Sequence, residues 1–548
     1  MTHNLHSPVR RWWLTAAIFV VVLSMFAAAC GDDDGETTTT AAGETTTTAA
    51  GETTTTAGAE ARSLIIALPE EPRSLASWNA YSNDGHPVIR NVTEALLNRD
   101  PVTNELVPEL ALSYTQINPN TWQFELRQGV KFHDGSDFNA ESAAYSINYV
   151  LAEENAFPMR QFFGSQVTAE AVGEYTLNVS TVDPDPILPT RLYFCTIPSA
   201  QAIQDSPDTY ESNLVGTGPY KLDEWNRGQS IQISAYADWW GRDDPAAAMG
   251  TNELVDTVTF IFREESTVRA ALLDTGEADF ARFLTPEDCA NAPVCYSMPT
   301  VETVIFRMDT MNPLLSDIRI RQAVAFAIDK EAIMNDIMGG GEVANQIVGA
   351  SALGWNPNLE PYPYDPEQAA ALVAEAAADG VDVTAPLLVA ARTGFPSRGD
   401  ETIQLVAESL VSIGLTGAHS EMFETAAFEE MWSGTGYANT SPDRALIGLN
   451  QHGNELMDYA MSQGYYTCNG VVSTYCDPAY DEMVAAAIQI PVGPERAQAL
   501  QDLAAYVADL YYIVPVGWPL FNFGLVDGIN WTPRMDGFIL IKEMTFTS

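Results

Sequence analysis

TWQFELRQGVKFHDGSDFNAESAAYSI, residues 121–147, carries a strand, two turns and the start of a helix. Trp122, Phe124 and Leu126 alternate with Gln123, Glu125 and Arg127, the period-two pattern of a strand with one buried face. Gln128-Gly129 turns the chain, Val130 and Phe132 resume the pattern, and His133-Asp134-Gly135 makes a second turn. His133 beside Asp134 has no third metal-ligand residue nearby, so the pair reads as turn chemistry. Asn139 then suits an N-cap, with Ala143, Ile147, Val150 and Leu151 on the inward face of the following helix.

The same mixture continues outward. Ser63 to Leu68 is an apolar run of strand length. Gly216-Thr217-Gly218-Pro219 reads as a rigid turn before a strand from Tyr220 to Trp225. Ile320, Val324 and Ile328 share one helical face. Asp329 fits the N-cap of the next helix, which Gly339-Gly340-Gly341 ends. Asp365-Pro366-Glu367-Gln368 supplies a cap, a first-turn proline and a Gln three residues after the cap, with Leu372 and Val373 inward and Gly380 as the stop. Interleaved strands and helices predict an α/β fold with several lobes.

The 548 residues suffice for two to four domains. With Lys+Arg 26 against Asp+Glu 73, the formal charge is −47, which repels phosphate backbones and excludes nucleic acid as a partner. Catalytic signatures are lacking: there is no G-x-S-x-G elbow, no H-E-x-x-H and no phosphate-binding loop with its Lys-Ser/Thr. Six His and no C-x-x-C leave metal chemistry poorly supplied. The expectation is a protein that is not an enzyme and holds no cofactor or metal.

Residues 1–30 read as an export signal: Arg10-Arg11, an apolar run from Leu14 to Ala29, then Cys30 after three Ala. Small residues before Cys30 resemble a bacterial lipobox, in which Cys30 is lipidated. An ordinary secretory signal and an uncleaved anchor are the alternatives, and Arg10-Arg11 weakly resembles a twin-arginine signal. Residues 31–61 contain nearly three copies of GETTTTAA and no large apolar side chain until the body begins, which predicts a disordered tether. In an exported chain, Cys289 with Cys295 and Cys468 with Cys476 are expected to form short-loop disulfides, and Cys195 to remain a buried thiol.

Six blocks in order resemble the extracytoplasmic solute-binding proteins of family 5, the oligopeptide, dipeptide and nickel type that serve ABC importers. They are EALLNRDPVTNELVPELALSY (94–114) with residues 121–147, VGTGPYKLDEW (215–225), ALLDTGEADF (271–280), SDIRIRQAVAFAIDKEAI (316–333), DPEQAAALVAEA (365–376), and DPAYD (477–481) with its downstream ERAQALQDL helix. The resemblance implies a two-lobed type II periplasmic-binding fold with an additional domain. Lobe I would be 62–99, 188–300 and 521–548, the extra domain 100–187, and lobe III 301–520. Crossovers are expected near Thr303–Phe306 and Trp518–Asn522. The implied partners are a peptide-like or other small solute enclosed by hinge closure, an ABC permease in the membrane and a lipid anchor, with the receptor a monomer at the outer face of the cell membrane.

Carried over residue by residue, the resemblance places Tyr81, Ser82 and Asn83 on ligand-facing loops, Arg282 and Phe283 on the pocket wall, and Phe157 and Phe162 as aromatics from the extra domain. In DRALIGLNQHGNE (443–455) it selects Gly448, Leu449, Asn450, His452 and Asn454. His452 falls where the family's peptide binders carry an acid for the ligand's α-ammonium. A neutral polar or partly anionic solute is therefore expected, unless Glu455 replaces the missing acid. A ligand sensor without a permease and an extracellular hydrolase are the other functions this sequence admits. Because the tether lacks apolar residues, deleting residues 31–60 should leave the melting temperature unchanged; a fall of many degrees in a thermal melt would show that it packs on the body.

Overall fold

Thr121–Leu126 is a strand with Phe124 and Leu126 buried, and Gly129 and Gly135 take the positive φ that their turns require. Asn139 caps Ala140–Leu151 through a reciprocal pair with Ser142: the Ser142 N–H donates to Asn139 Oδ1 at 2.9 Å, and the Asn139 N–H to Ser142 Oγ at 3.0 Å. Asp134 accepts the Ser136 N–H at 2.9 Å, and His133 shares a 2.9 Å hydrogen bond with the Gly218 carbonyl, so this pair shapes turns. These elements belong to a computed structural model that describes residues 62–79, 85–244, 254–394, 396–432 and 441–547. The export signal, Cys30, the tether and Tyr81, Ser82 and Asn83 lie outside the described residues.

Three larger sheets organise the chain. A seven-stranded sheet runs in the order Val294–Pro299, Leu520–Leu525, Phe280–Arg282, Ser63–Leu68, Thr257–Phe262, Ser230–Ala235, Tyr220–Asn226. A six-stranded sheet runs Glu342–Val343, Ile513–Trp518, Glu302–Met308, Leu446–Gly453, Leu387–Arg392, Ala418–Phe423. A four-stranded antiparallel sheet, Ala111–Asn118, Thr121–Leu126, Thr176–Thr181, Val167–Ala171, packs under the helix Ala140–Leu151. The first two sheets are the cores of the two lobes.

Local signals hold with small shifts. Asp329 caps Lys330–Ala332 by accepting the Ala332 N–H at 3.0 Å, and Asp365 caps Pro366–Ala378 through the Gln368 N–H at 2.9 Å. The helix Ile318–Ala327 ends one residue early: Ile328 is its extended C-cap, still fully buried. Leu372 is only half-buried, whereas Val373 points into the core. Gly216 and Gly218 lie against the backbone of Asn91–Thr93; a Cβ on Gly218 would come within 2.7 Å of the Asn91 carbonyl oxygen, so the turn has no room for side chains. Cys289 is bonded to Cys295 and Cys468 to Cys476, while the buried Cys195 thiol is pushed up to about 12 by desolvation.

Two strands run through both lobes. Val294–Pro299 continues as Glu302–Met308, and Ile513–Trp518 continues as Leu520–Leu525, antiparallel to it in each sheet. Thr303–Phe306, near which a crossover is expected, is therefore interior to a strand, with Val304–Phe306 paired on both sides. Its β-branched and aromatic residues are fully buried, which is what a central strand demands. The chain crosses at Thr300–Val301 instead, and at Pro519 within the second expected segment.

The C-terminal segment is tied back by buried charge. Lys542 Nζ lies 3.0 Å from Glu109 and 3.7 Å from Glu94, and Arg90 is 3.3 Å from Glu109. Arg534 pairs with Glu543 at 2.8 Å and Asp536 at 3.2 Å, and Tyr193 Oη donates to Asp536 at 2.5 Å. Removing one member of such a group leaves an uncompensated charge in the interior. Lys542→Met should cost about 3–5 kcal/mol of unfolding free energy in a urea titration.

Candidate functional site

The strand Leu446–Gly453 ends at the edge of its sheet where both crossovers lie: Glu302 pairs with Gly453, and the Asn454 N–H donates to the Val301 carbonyl at 3.1 Å. Alternation sends Gly448, Asn450 and His452 to one face and Ile447, Leu449 and Gln451 to the other. Gly448 and Leu449 serve the lobe's own packing. A Cβ on Gly448 would meet the Trp432 ring at 2.6 Å, and Leu449 is fully buried. His452 turns to its own lobe as well: its Nε2 is 2.9 Å from Ser462 Oγ, and its ring stands edge-on to Tyr465 at 4.8 Å. Burial lowers its pKa to about 3, so the imidazole is neutral.

Asn454 differs from these. It is 2 % exposed, yet neither side-chain amide atom has a hydrogen-bond partner among the described residues. Asn450, four residues before it, is half-buried. The buried indole Nε1 of Trp518, at the end of the strand leading to Pro519, is also without a partner. These unsatisfied donors and acceptors lie at the strand ends beside the crossovers.

In the other lobe, Arg282 is fully buried, donates Nη2 to the Gly537 carbonyl at 2.9 Å, and holds its guanidinium 4.0 Å from the Phe283 ring centroid. Phe283 takes φ 54° and packs its ring 4.5 Å from Phe521. Their carbonyls are gripped by Arg269, at 3.0 Å for Arg282 and 2.7 Å for Phe283. Arg269 has no signature in sequence because its targets are backbone atoms. Phe157 and Phe162 are not brought to this place. Phe157 packs on Trp78 and Tyr149, with centroids 5.6 and 5.7 Å away, and Phe162, 7 % exposed, lies 6.2 Å from Phe194 in the core.

Two carboxyls meet at the strand edge. Glu302 faces the same side as Gly453, which has no side chain, and the Glu455 carboxyl folds back over that gap. Gln451 Nε2 donates to Glu302. Burial, then the neighbouring Glu302, push the Glu455 pKa up to about 7, against the pull of Arg99. A raised carboxyl pKa means that the folded protein holds a proton the unfolded chain has lost. Stability therefore falls as pH rises from about 4.3 towards about 7 and is flat above. Glu455→Gln should raise the melting temperature above pH 7 and leave it unchanged below pH 4, as read by melts across that range.

The match to known proteins agrees with this geometry. The model of bacterial extracellular solute-binding proteins, family 5, matches residues 105–452. The dipeptide-binding protein of Escherichia coli is 26 % identical over 341 residues, which are 56 % of this chain and 60 % of that protein, so the chain spans about three fifths of this curated relative. The ABC transporter substrate-binding protein CtaP of Listeria monocytogenes superposes with a TM-score of 0.75 at 20 % identity, covering 89 % of this chain and 99 % of CtaP. The periplasmic binding protein DppA of Helicobacter pylori, in complex with the peptide STSA, superposes at 0.73 and 19 % identity, covering 88 % and 98 %. These likenesses establish the two-lobed type II fold. No helix among the described residues is long and apolar enough to cross a membrane. With two sheets joined by paired crossovers and a family match over most of the folded body, the chain belongs to the bacterial extracellular solute-binding proteins of family 5.

Proposed function

We propose that this chain is an extracytoplasmic receptor, held by a lipid on Cys30 and the leash of residues 31–61, that encloses a peptide-like or other small polar solute and delivers it to an ABC permease. It acts as a monomer and performs no chemistry on the solute. The lobes correspond to 62–99, 188–300 and 521–548 on one side and 301–520 on the other, with 100–187 as the added domain. The Escherichia coli relative is a dipeptide-binding protein and the Helicobacter pylori DppA structure holds the peptide STSA, which supports a solute of that class.

The observation that carries this reading is Asn454. Burying an amide with neither atom bonded costs about 1–3 kcal/mol, and a solute with a donor and an acceptor restores both bonds. Asn450, on the strand that leads to Asn454, and Trp518 Nε1, at the end of a strand one removed in the sheet, extend the same polar chemistry. Since His452 is neutral and bonded within its lobe, it supplies no countercharge to an ammonium; the carboxyls at this edge are Glu302 and Glu455, and burial favours the protonated form of Glu455 up to about pH 7.

A thermal-shift screen of di- to pentapeptides with free or acetylated N-termini, run beside oligosaccharides, tests the reading, because a bound solute stabilises by RT ln(1 + [L]/Kd). Asn454→Leu should raise the melting temperature of solute-stripped protein and abolish the shift that a binding peptide produces. An unchanged peptide response in Asn454→Leu would remove this residue from the site, and a screen in which no peptide or sugar stabilises the protein would count against the solute class.

A further inference from the structure

We propose that Leu456 is a latch, a side chain from the lobe of the six-stranded sheet that seats in the core of the opposite lobe and holds the two together whatever solute lies between them. Leu456 follows the strand Leu446–Gly453, yet its buried surroundings are not those of its own lobe. At 2 % exposure it joins the apolar cluster that contains Leu64, Ile66, Tyr193 and Phe523, and Met461, five residues on, packs against the same cluster. The two clusters that fill the six-stranded lobe do not include it.

Each half of the contact is braced by bonds within its own lobe. On the receiving side, Arg99 Nη2 reaches the Leu456 carbonyl at 3.5 Å, with its guanidinium 5.0 Å from the Tyr193 ring centroid. The Arg99 carbonyl accepts from Arg534 Nη2 at 3.0 Å, which ties the receiving surface to the buried ion group of the C-terminal segment. On the inserting side, the Met457 N–H closes a turn onto the Asn454 carbonyl at 2.9 Å with Met457 at φ 52°. The Leu353 N–H donates to the Met457 carbonyl at 2.8 Å, and the Tyr459 N–H to the Leu353 carbonyl at 2.9 Å. Arg496 grips both Asp458 oxygens, at 2.8 and 3.0 Å. A knob fixed in this way loses little conformational freedom on docking, so most of its burial counts towards closure.

The consequence is a bias built into the protein. Solute binds the closed arrangement, and apparent affinity scales with the fraction of molecules already closed. Leu456 adds a protein-to-protein term to that fraction. The inference goes beyond the receptor reading and does not depend on the identity of the solute.

The test is small-angle scattering on the full chain, stripped of carried solute by unfolding and refolding, with near-ultraviolet circular dichroism as the control for folding. Leu456→Ala should increase the radius of gyration and Leu456→Met should not, both with the wild-type dichroism. A Leu456→Ala protein that is folded and has the wild-type radius overturns the latch. Loss of the folded dichroism in Leu456→Ala also overturns it, since Leu456 would then be an ordinary core residue. Failure of the peptide screen would leave the scattering result untouched, so the two readings fail separately.

Discussion

Everything in this molecule hangs on two antiparallel strands that belong to both sheets. Residues 294–308 and 513–525 pair as Val294–Pro299 with Leu520–Leu525 in one lobe and as Val304–Arg307 with Ile513–Gly517 in the other. Between these runs only Thr300, Val301 and Pro519 are free of a ladder, and the Thr300 N–H donates to the Pro519 carbonyl at 3.3 Å. Proline at the crossing removes one donor and sets its own φ, so the chain can change sheets without leaving an unmet N–H there. Gly517, close against Met334, and Gly341, whose Cβ would strike the Trp518 carbonyl, let flanking chain approach the crossing without side chains in the way.

Some of the buried polar atoms without a hydrogen-bond partner among the described residues, on Asn454, Glu455 and Trp518, lie near that crossing. Asn454 and Glu455 follow the end of the strand Leu446–Gly453, and Trp518 ends the strand Ile513–Trp518. Farther along the same strands the neighbours become Trp432, Phe428 and Ile305, with Arg307 buried against the Trp432 ring at 3.9 Å.

Charge is divided unequally between surface and interior. The acidic residues outnumber the basic ones nearly threefold, 73 to 26, yet Arg282, Arg307, Arg496 and Arg534 are among the largest fully buried side chains. They act as clamps on backbone. Arg496 binds the carbonyls of Ile488 and Ile490 at 2.7 and 3.0 Å, Arg321 those of Leu315, Ser316 and Leu510, and Lys330 those of Ala325, Ile328 and Tyr362. Such cations satisfy carbonyls at helix ends that no N–H reaches. Using the few basic residues inside leaves a strongly anionic exterior, which favours solubility.

Local chemistry was legible in the residues themselves: the Asn139 and Asp365 caps, the Gly129 and Gly135 turns, the strands Ser63–Leu68 and Thr121–Leu126, and the α/β class all follow from interactions within a few positions, which sequence spacing encodes directly. The order of motif blocks likewise pointed to the family. What the chain alone did not determine were contacts between residues hundreds of positions apart. The place of the first crossover depended on which strands flank Thr303–Phe306, and a β-branched apolar run looks the same whether it links two sheets or sits inside one. Phe157, Phe162 and His452 carry side chains equally suited to a pocket or a core, and only the neighbours supplied by folding, Trp78, Phe194 and Ser462, assigned them to packing. Glu455 and Leu456 were not legible for the same reason: pKa and burial are set by what surrounds a group in three dimensions, Glu302 and Arg99 for Glu455 and the far lobe's apolar cluster for Leu456.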